Sequence, residues 1–96
     1  MAVTIQSIHF TASDDLLAFV NIKVGKLNHF HDEIVDSEVY LKLENTGTVQ
    51  TKVAEVKLSI PGKDLFARKE SKTFEEATDM AVDALKKQIE KSKAKK

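Results

Sequence analysis

Apolar positions along this chain recur with two periods, and the places where one gives way to the other mark out six elements. From Val3 to Phe10 the apolar side chains fall at Val3, Ile5, Ile8 and Phe10, with Thr4, Gln6 and His9 between them and Ser7 breaking the register. Near-alternation of this kind predicts a strand with one imperfect face. The period then lengthens. Placed at about 100° per residue, Leu16, Val20, Val24 and Leu27 form one stripe, Phe19 lies on its edge and Gly25 falls on the far side. A helix from Asp14 to about Asn28 follows. Ser13 is its cap, because its hydroxyl can accept a free amide proton of the first turn, and Asp14 and Asp15 suit the positive end of the helix dipole.

Residues His29 to Val35 read as a turn region with Ile34 as an inward anchor. Ser37 to Glu44 alternates almost strictly, Val39, Leu41 and Leu43 on one face and Glu38, Tyr40, Lys42 and Glu44 on the other. Asn45-Thr46-Gly47-Thr48 supplies turn residues, and Val49 to Ile60 alternates again, which predicts an antiparallel hairpin. The apolar set steps by an odd number from Val53 to Val56, so a bulge or twist is expected near Ala54-Glu55. Pro61-Gly62-Lys63-Asp64 is a turn, and a shorter strand from Leu65 to about Glu70 completes a meander. Thr73 and Glu76 have capping-box spacing, with the Thr73 hydroxyl taking the Glu76 amide and the Glu76 carboxylate returning to the Thr73 amide. They open a second helix whose stripe is Phe74, Ala77, Ala81, Leu85, Val82 and Ile89, running to about Lys91 before a frayed lysine tail over residues 92–96. The order β-α-β-β-β-α gives an α+β fold, a four-stranded sheet with two helices packed on one face. The 96 residues, 42% of them hydrophobic, suffice for one such domain and not for two.

Charge adds what periodicity cannot. The formal net charge is zero, yet the last twelve residues, Leu85 to Lys96, hold six lysines and one glutamate. That segment is therefore +5 and the rest of the chain −5. Lys87 and Lys91 share one flank of the apolar stripe and Lys86 and Lys93 the other, so the helix can dock by its apolar side and still offer ammonium groups to phosphates. Lysines at a helix C-terminus also complement the dipole and keep the end soluble. Lys23 and Lys26, one turn apart on the first helix, are placed to bridge a phosphate or to lie along the edge of the core.

Other chemistries find little to build on. The chain has no cysteine, which removes disulfides, thiolate zinc sites and cysteine nucleophiles and fits a reducing compartment such as the cytoplasm. No stretch approaches the roughly 20 apolar residues of a membrane span. His29-Phe30-His31-Asp32-Glu33 gathers two imidazoles and two carboxylates, but the spacing suits a metal only in an extended strand, and His9 is the one other histidine. A solvated turn is the expected reading, with no metal and no cofactor. Ser13-Asp14-Asp15 is a helix cap rather than a nucleophile with partners, Pro61-Gly62-Lys63 lacks the spacing of a phosphate loop, and Glu75-Glu76 suits a helix first turn, so no catalysis and no small-molecule substrate are expected. Tyr40 with Lys42 and Phe66 with Arg68 could stack on bases or simply pair across strands.

Taken in register, these residues resemble a known family. Phe19-Val20, then Lys23-Val24-Gly25-Lys26-Leu27 and Phe30, are similar to the first-helix pattern of the short ribosome hibernation-promoting factors, also called ribosome-associated inhibitor or sigma-54 modulation proteins. Asp32-Glu33-Ile34, the strand Val39 to Glu44, Ile60-Pro61-Gly62, Phe74 and the helix end Asp83 to Ile89 with Lys91 and Lys93 continue the resemblance along essentially the whole chain. It implies a domain akin to a double-stranded RNA-binding domain that lodges in the decoding channel of the small ribosomal subunit, covers the mRNA path and tRNA sites, and stalls translation in starved or stationary cells. It further implies RNA contacts, to 16S rRNA phosphates, from Lys23 and Lys26 and from Lys86 or Lys87, Lys91, Lys93 and Lys95. Ala84 stands where the family usually has lysine, Glu90 interrupts the basic end, and Thr78 replaces a common isoleucine, so a reduced electrostatic share is expected. The C-terminal dimerisation domain of the family's long form is expected to be lacking, which leaves any pairing of ribosomes to a separate factor. Two other readings stay open: a module for structured RNA away from the ribosome, and a protein-interaction domain that modulates transcription through the acidic body and the sheet face around Tyr40.

Overall fold

The computed structural model describes residues 2–94. Strand β1 (Ala2–Ile8) leads into helix α1 (Asp14–Gly25) and a 3₁₀ turn (Lys26–His29), then into strands β2 (Asp36–Thr46), β3 (Val49–Ile60) and β4 (Lys63–Ser71) and helix α2 (Phe74–Ala94). The class and order are those the periodicity predicts. The four strands form one sheet in the order β1-β2-β3-β4, with β1 parallel to β2 and the other two pairs antiparallel. A parallel pair needs a crossover, which α1 supplies, whereas the antiparallel pairs close through two-residue turns. In those turns Gly47 (φ 66°) and Gly62 (φ 89°) take the left-handed conformation that side chains resist.

Register sorts the side chains onto two faces. Val3 and Ile5, Val39 and Leu41, Ala54, Val56 and Leu58, and Leu65 and Ala67 share the face that meets the helices. Against it α1 buries Leu16, Val20 and Val24, the 3₁₀ turn buries Leu27, and α2 buries Phe74, Ala77, Ala81, Leu85 and Ile89. Ile34 is buried as the anchor of the turn region.

The sequence expectations need correction in several places. The β2–β3 and β3–β4 registers run without interruption, so there is no bulge at Ala54-Glu55. Val53 instead points to the opposite, open face, where it is fully buried between its cross-strand neighbours Lys42 and Glu70. Long charged side chains can cover an apolar residue with their stems, and the odd step reflects that cover rather than a kink. β1 ends at Ile8, before Phe10: His9 turns the chain at φ 71°, and the Phe10 ring stacks on Phe74 with centroids 4.4 Å apart. The helical rotation begun at α1 tightens into the 3₁₀ turn at Lys26, and α2 continues to Ala94, past the expected end at Lys91.

Both N-caps form. Ser13 Oγ accepts from the Leu16 amide at 3.1 Å, and Thr73 Oγ1 from the Glu76 amide at 3.1 Å. The return arm of the capping box does not: the Glu76 carboxylate accepts from the Ser71 hydroxyl. One polar atom in the core lacks a partner on α2, the hydroxyl of fully buried Thr78. Valine has the same shape without that hydroxyl, so Thr78→Val is expected to stabilise the fold by about 1 kcal/mol. A rise in melting temperature of about 4–8 °C checks it.

Candidate nucleic-acid interface

The positions of the lysines follow from how the helices lie. Phe10 meets Phe74, Lys23 meets Asp79 and Lys86 lies over the Phe30 ring, so contacts climb together along both segments. The α1 segment and α2 therefore run in the same sense. Each begins with carboxylates, Asp14 and Asp15 on one and Glu75 and Glu76 on the other. Each carries lysines toward its end; Lys23 lies against Asp79 in the second turn of α2, and Lys86, two turns further on, lies against Phe30.

Of the sequence-predicted cations, the structure brings Lys23, Lys26, Lys86, Lys87 and Lys91 onto the helical side of the domain. Lys23 is half-buried, with its Nζ 2.9 Å from Asp79 and 5.7 Å from the centroid of the Phe19 ring. Lys26 is exposed at the start of the 3₁₀ turn. Lys86 Nζ sits 4.9 Å from the Phe30 centroid, a cation–π contact that holds the side chain over the turn region. Lys87, 71% exposed, pairs with Asp83 at 3.2 Å one turn earlier. Lys91 is exposed and makes no ion pair among the described residues. Lys93 lies in the last turn of α2, and Lys95 lies outside the described residues. The two flanks read from the helical wheel are both present. Lys86 faces the α1 side, while Lys87 and Lys91 face β4 across a groove of about 380 Å³.

Lys69 is not among the cations that the sequence pattern picks out, yet it lines that groove beside Lys87 and Lys91. The signal was there in the alternation: Leu65, Ala67 and Lys69 share one face of β4, so a lysine follows two buried residues on the helix-facing side. A cation at that position emerges under the edge of α2.

The open face of the sheet has the opposite character. Register places Asp36, Glu38, Glu44, Glu55, Asp64 and Glu70 there against Lys42, Lys57 and Arg68, six carboxylates to three cations. The cations are engaged. Arg68 reaches Glu70 at 2.7 Å, Glu44 at 3.0 Å and Glu55 at 3.4 Å, Lys42 holds Glu55 at 3.1 Å, and Lys57 lies 3.5 Å from Asp64. The hydrogen bond to Glu70, outweighing desolvation, pushes the Arg68 guanidinium above its already high value. Tyr40 donates to Glu38 at 2.8 Å, and that bond with the carboxylate's charge holds the phenol above its usual range. Tyr40 thus sits between Glu38 and Glu55, an environment that repels a phosphate backbone.

The histidine segment is a turn. His31 Nδ1 accepts from the Glu33 amide at 3.0 Å, and no group of three metal-ligating side chains gathers there or elsewhere among the described residues. Among the described residues no helix is long and apolar enough to cross a membrane.

Comparison with known proteins places this geometry in a family. The family described as Sigma 54 modulation protein / S30EA ribosomal protein matches residues 3–96. A ribosome hibernation promoting factor of Pseudomonas putida is 32% identical over 95 residues, covering 99% of this chain and 89% of that protein. Among solved structures, a ribosomal subunit interface protein from Coxiella burnetii superposes with a TM-score of 0.87 at 21% identity, over 99% of this chain and 100% of that one. The N-terminal domain of Protein Y from Thermus thermophilus does so with a TM-score of 0.75 at 23% identity, over 94% and 93%. The two structures establish the shared fold, and the match over nearly the full length establishes the kinship: the chain belongs to the Sigma 54 modulation protein / S30EA ribosomal protein family.

Proposed function

We propose that this chain is a non-enzymatic, cytoplasmic regulator of translation that binds the small ribosomal subunit and occupies its decoding channel during stress or stationary phase. The observation that carries the reading is that the lysines of α1 and α2 lie on the helical side of a domain whose other face carries excess carboxylate. Family membership and the names of its relatives, a ribosome hibernation promoting factor and a ribosomal subunit interface protein, support it. Lys23, Lys26, Lys86, Lys87, Lys91, Lys93 and Lys95 are the proposed contacts to 16S rRNA phosphates. Neutralising phosphates releases condensed counterions, which supplies affinity without sequence readout. The mechanism is occupancy: a folded body 47 × 25 × 18 Å across excludes mRNA and tRNA from the space it fills. The acidic sheet face orients the domain, because only the helical side is attracted to RNA.

Co-sedimentation with isolated small subunits over a salt series tests the reading. The logarithm of affinity should fall linearly with the logarithm of salt concentration, by about 0.7–0.9 for each phosphate contact. Pelleting that ignores salt contradicts it.

Two of the proposed contacts carry a carboxylate that phosphate must displace. Asp79→Asn frees the Lys23 ammonium from its 2.9 Å partner and raises the local charge by one. It should tighten subunit binding about threefold to fivefold and steepen the salt slope. Stability should change by less than about 1 kcal/mol, since the pair is partly exposed. Parallel binding and melting curves check both statements.

A further inference from the structure

The groove between α2 and β4 lies on the flank of α2 opposite the one that meets α1. Lys87 and Lys91 stand on its helical lip and Lys69 on its strand side, with Asp83 as the one carboxylate lining it. Three ammonium groups thus face one carboxylate, and that carboxylate is already shared with Lys87 at 3.2 Å. The floor is different in kind. Met80, 41% exposed, and Ala84 line it with apolar surface. Gln88 ties the two walls together by donating to the Phe66 carbonyl at 2.9 Å, which fixes the width of the cleft.

Resting on the ribosome-binding reading, we propose that this groove holds a single strand of RNA, its phosphates on Lys69, Lys87 and Lys91 and a ribose or base against Met80 and Ala84. Lys69 then belongs to the RNA-binding surface, which extends from the helices onto β4. Charge selects the occupant, because the lining carries a net +2. Shape selects the form: a cleft of about 380 Å³ between a helix and an edge strand admits a nucleotide or two, whereas a duplex is met across an open surface through its minor groove and phosphates. Cations beside an apolar shelf are the combination that single strands exploit, pairing backbone charge with the flat face of a base. Lys87 and Lys91, one turn apart, offer two ammonium groups with Cβ atoms about 6 Å apart on one line along the strand.

The test measures binding of the full chain to isolated small subunits across a salt series, with Lys69→Met, Lys69→Arg and, on the open sheet face, Lys57→Met. Methionine keeps the apolar stem of Lys69 and removes only the charge. Lys69→Met should weaken binding about fivefold at physiological salt and make the slope shallower by about 0.7. Lys69→Arg should restore both, and Lys57→Met should behave as the parent. If Lys69→Met binds like the parent while Lys26→Glu, outside the groove, binds weakly, the groove is empty and the ribosome-binding reading stands. Weakening of Lys69→Met with an unchanged salt slope also overturns the proposal, because Lys69 then acts by holding the fold. If the parent itself fails to bind small subunits, the functional reading falls and the groove with it. A photo-crosslinker placed at Met80 should join single-stranded nucleotides, and crosslinks confined to duplex stems contradict the proposed occupant.

Discussion

Simultaneous reversal of Lys26, Lys87 and Lys91 to glutamate is expected to weaken binding to small ribosomal subunits by on the order of 10²–10³-fold at physiological salt. These three side chains are exposed and, among the described residues, make one ion pair between them, Lys87 with Asp83, so their loss removes charge from the surface without removing core contacts. Each cation that ceases to neutralise a phosphate takes about 0.7–0.9 from the salt slope, and the new carboxylates add repulsion. A triple change to glutamine separates the two contributions: it should lower the slope by about two to three and cost less affinity than the reversal. The contrast is Lys57→Glu, which alters charge on the face already rich in carboxylates and should change affinity little. Equal effects from the two faces would mean that net charge, not its placement on the helices, governs binding.

Truncation of Leu85 to alanine is expected to cost about 2–5 kcal/mol of stability, the range for a fully buried leucine whose cavity cannot collapse. Leu85 sits at the centre of the α2 stripe with no solvent exposure, in the same core as Val56, Leu58, Val24 and Leu27. Small domains hold only about 5–15 kcal/mol in total, so the melting temperature should drop by on the order of 10–30 °C. A urea midpoint that falls at constant slope confirms that the loss is one of stability alone. Ile22→Ala is the control, because Ile22 is 62% exposed and should shift stability by less than about 0.5 kcal/mol. Leu85→Ala also bears on function. Docking of this stripe is what holds Lys86 and Lys87 at fixed positions beside it, so subunit binding should weaken near the lowered melting temperature while the parent still binds.

How much of this was legible in the sequence depends on the range of the interaction involved. Alternation and helical spacing located all four strands and both helices, because each element buries one face and the period of burial is written locally. The caps at Ser13 and Thr73 were legible for the same reason, being contacts within one turn. Part of what failed was non-local. Nothing near Val53 shows that Lys42 and Glu70, brought from the neighbouring strands, flank a valine on the charged face, so an odd step looked like a bulge. The Glu76 carboxylate is taken instead by the Ser71 hydroxyl five residues before it, which capping-box spacing does not weigh.

The candidate surface divides in the same way. The lysine-rich end of α2 and the pair on α1 stand out by composition, and the helical wheel correctly separated Lys86 from Lys87 and Lys91. Their placement on the helical side of the sheet needed the packing of both helices on one face. So did the Lys23–Asp79 pair, which joins residues 56 positions apart. Lys69 stands in a mixed-charge run, Arg68-Lys69-Glu70, and only the approach of α2 to β4 brings Lys87 and Lys91 beside it.

The measurement that reaches the central claim most directly is competition on the small subunit itself. Purified subunits, empty or loaded with mRNA and initiator tRNA, are mixed with the full chain at a salt concentration where it binds, and the bound fraction is read after sedimentation. Occupancy of the decoding channel predicts strong binding to empty subunits, sharply reduced binding to loaded ones, and release of mRNA and tRNA as the protein concentration rises. Equal binding to empty and loaded subunits, with mRNA and tRNA retained, contradicts it.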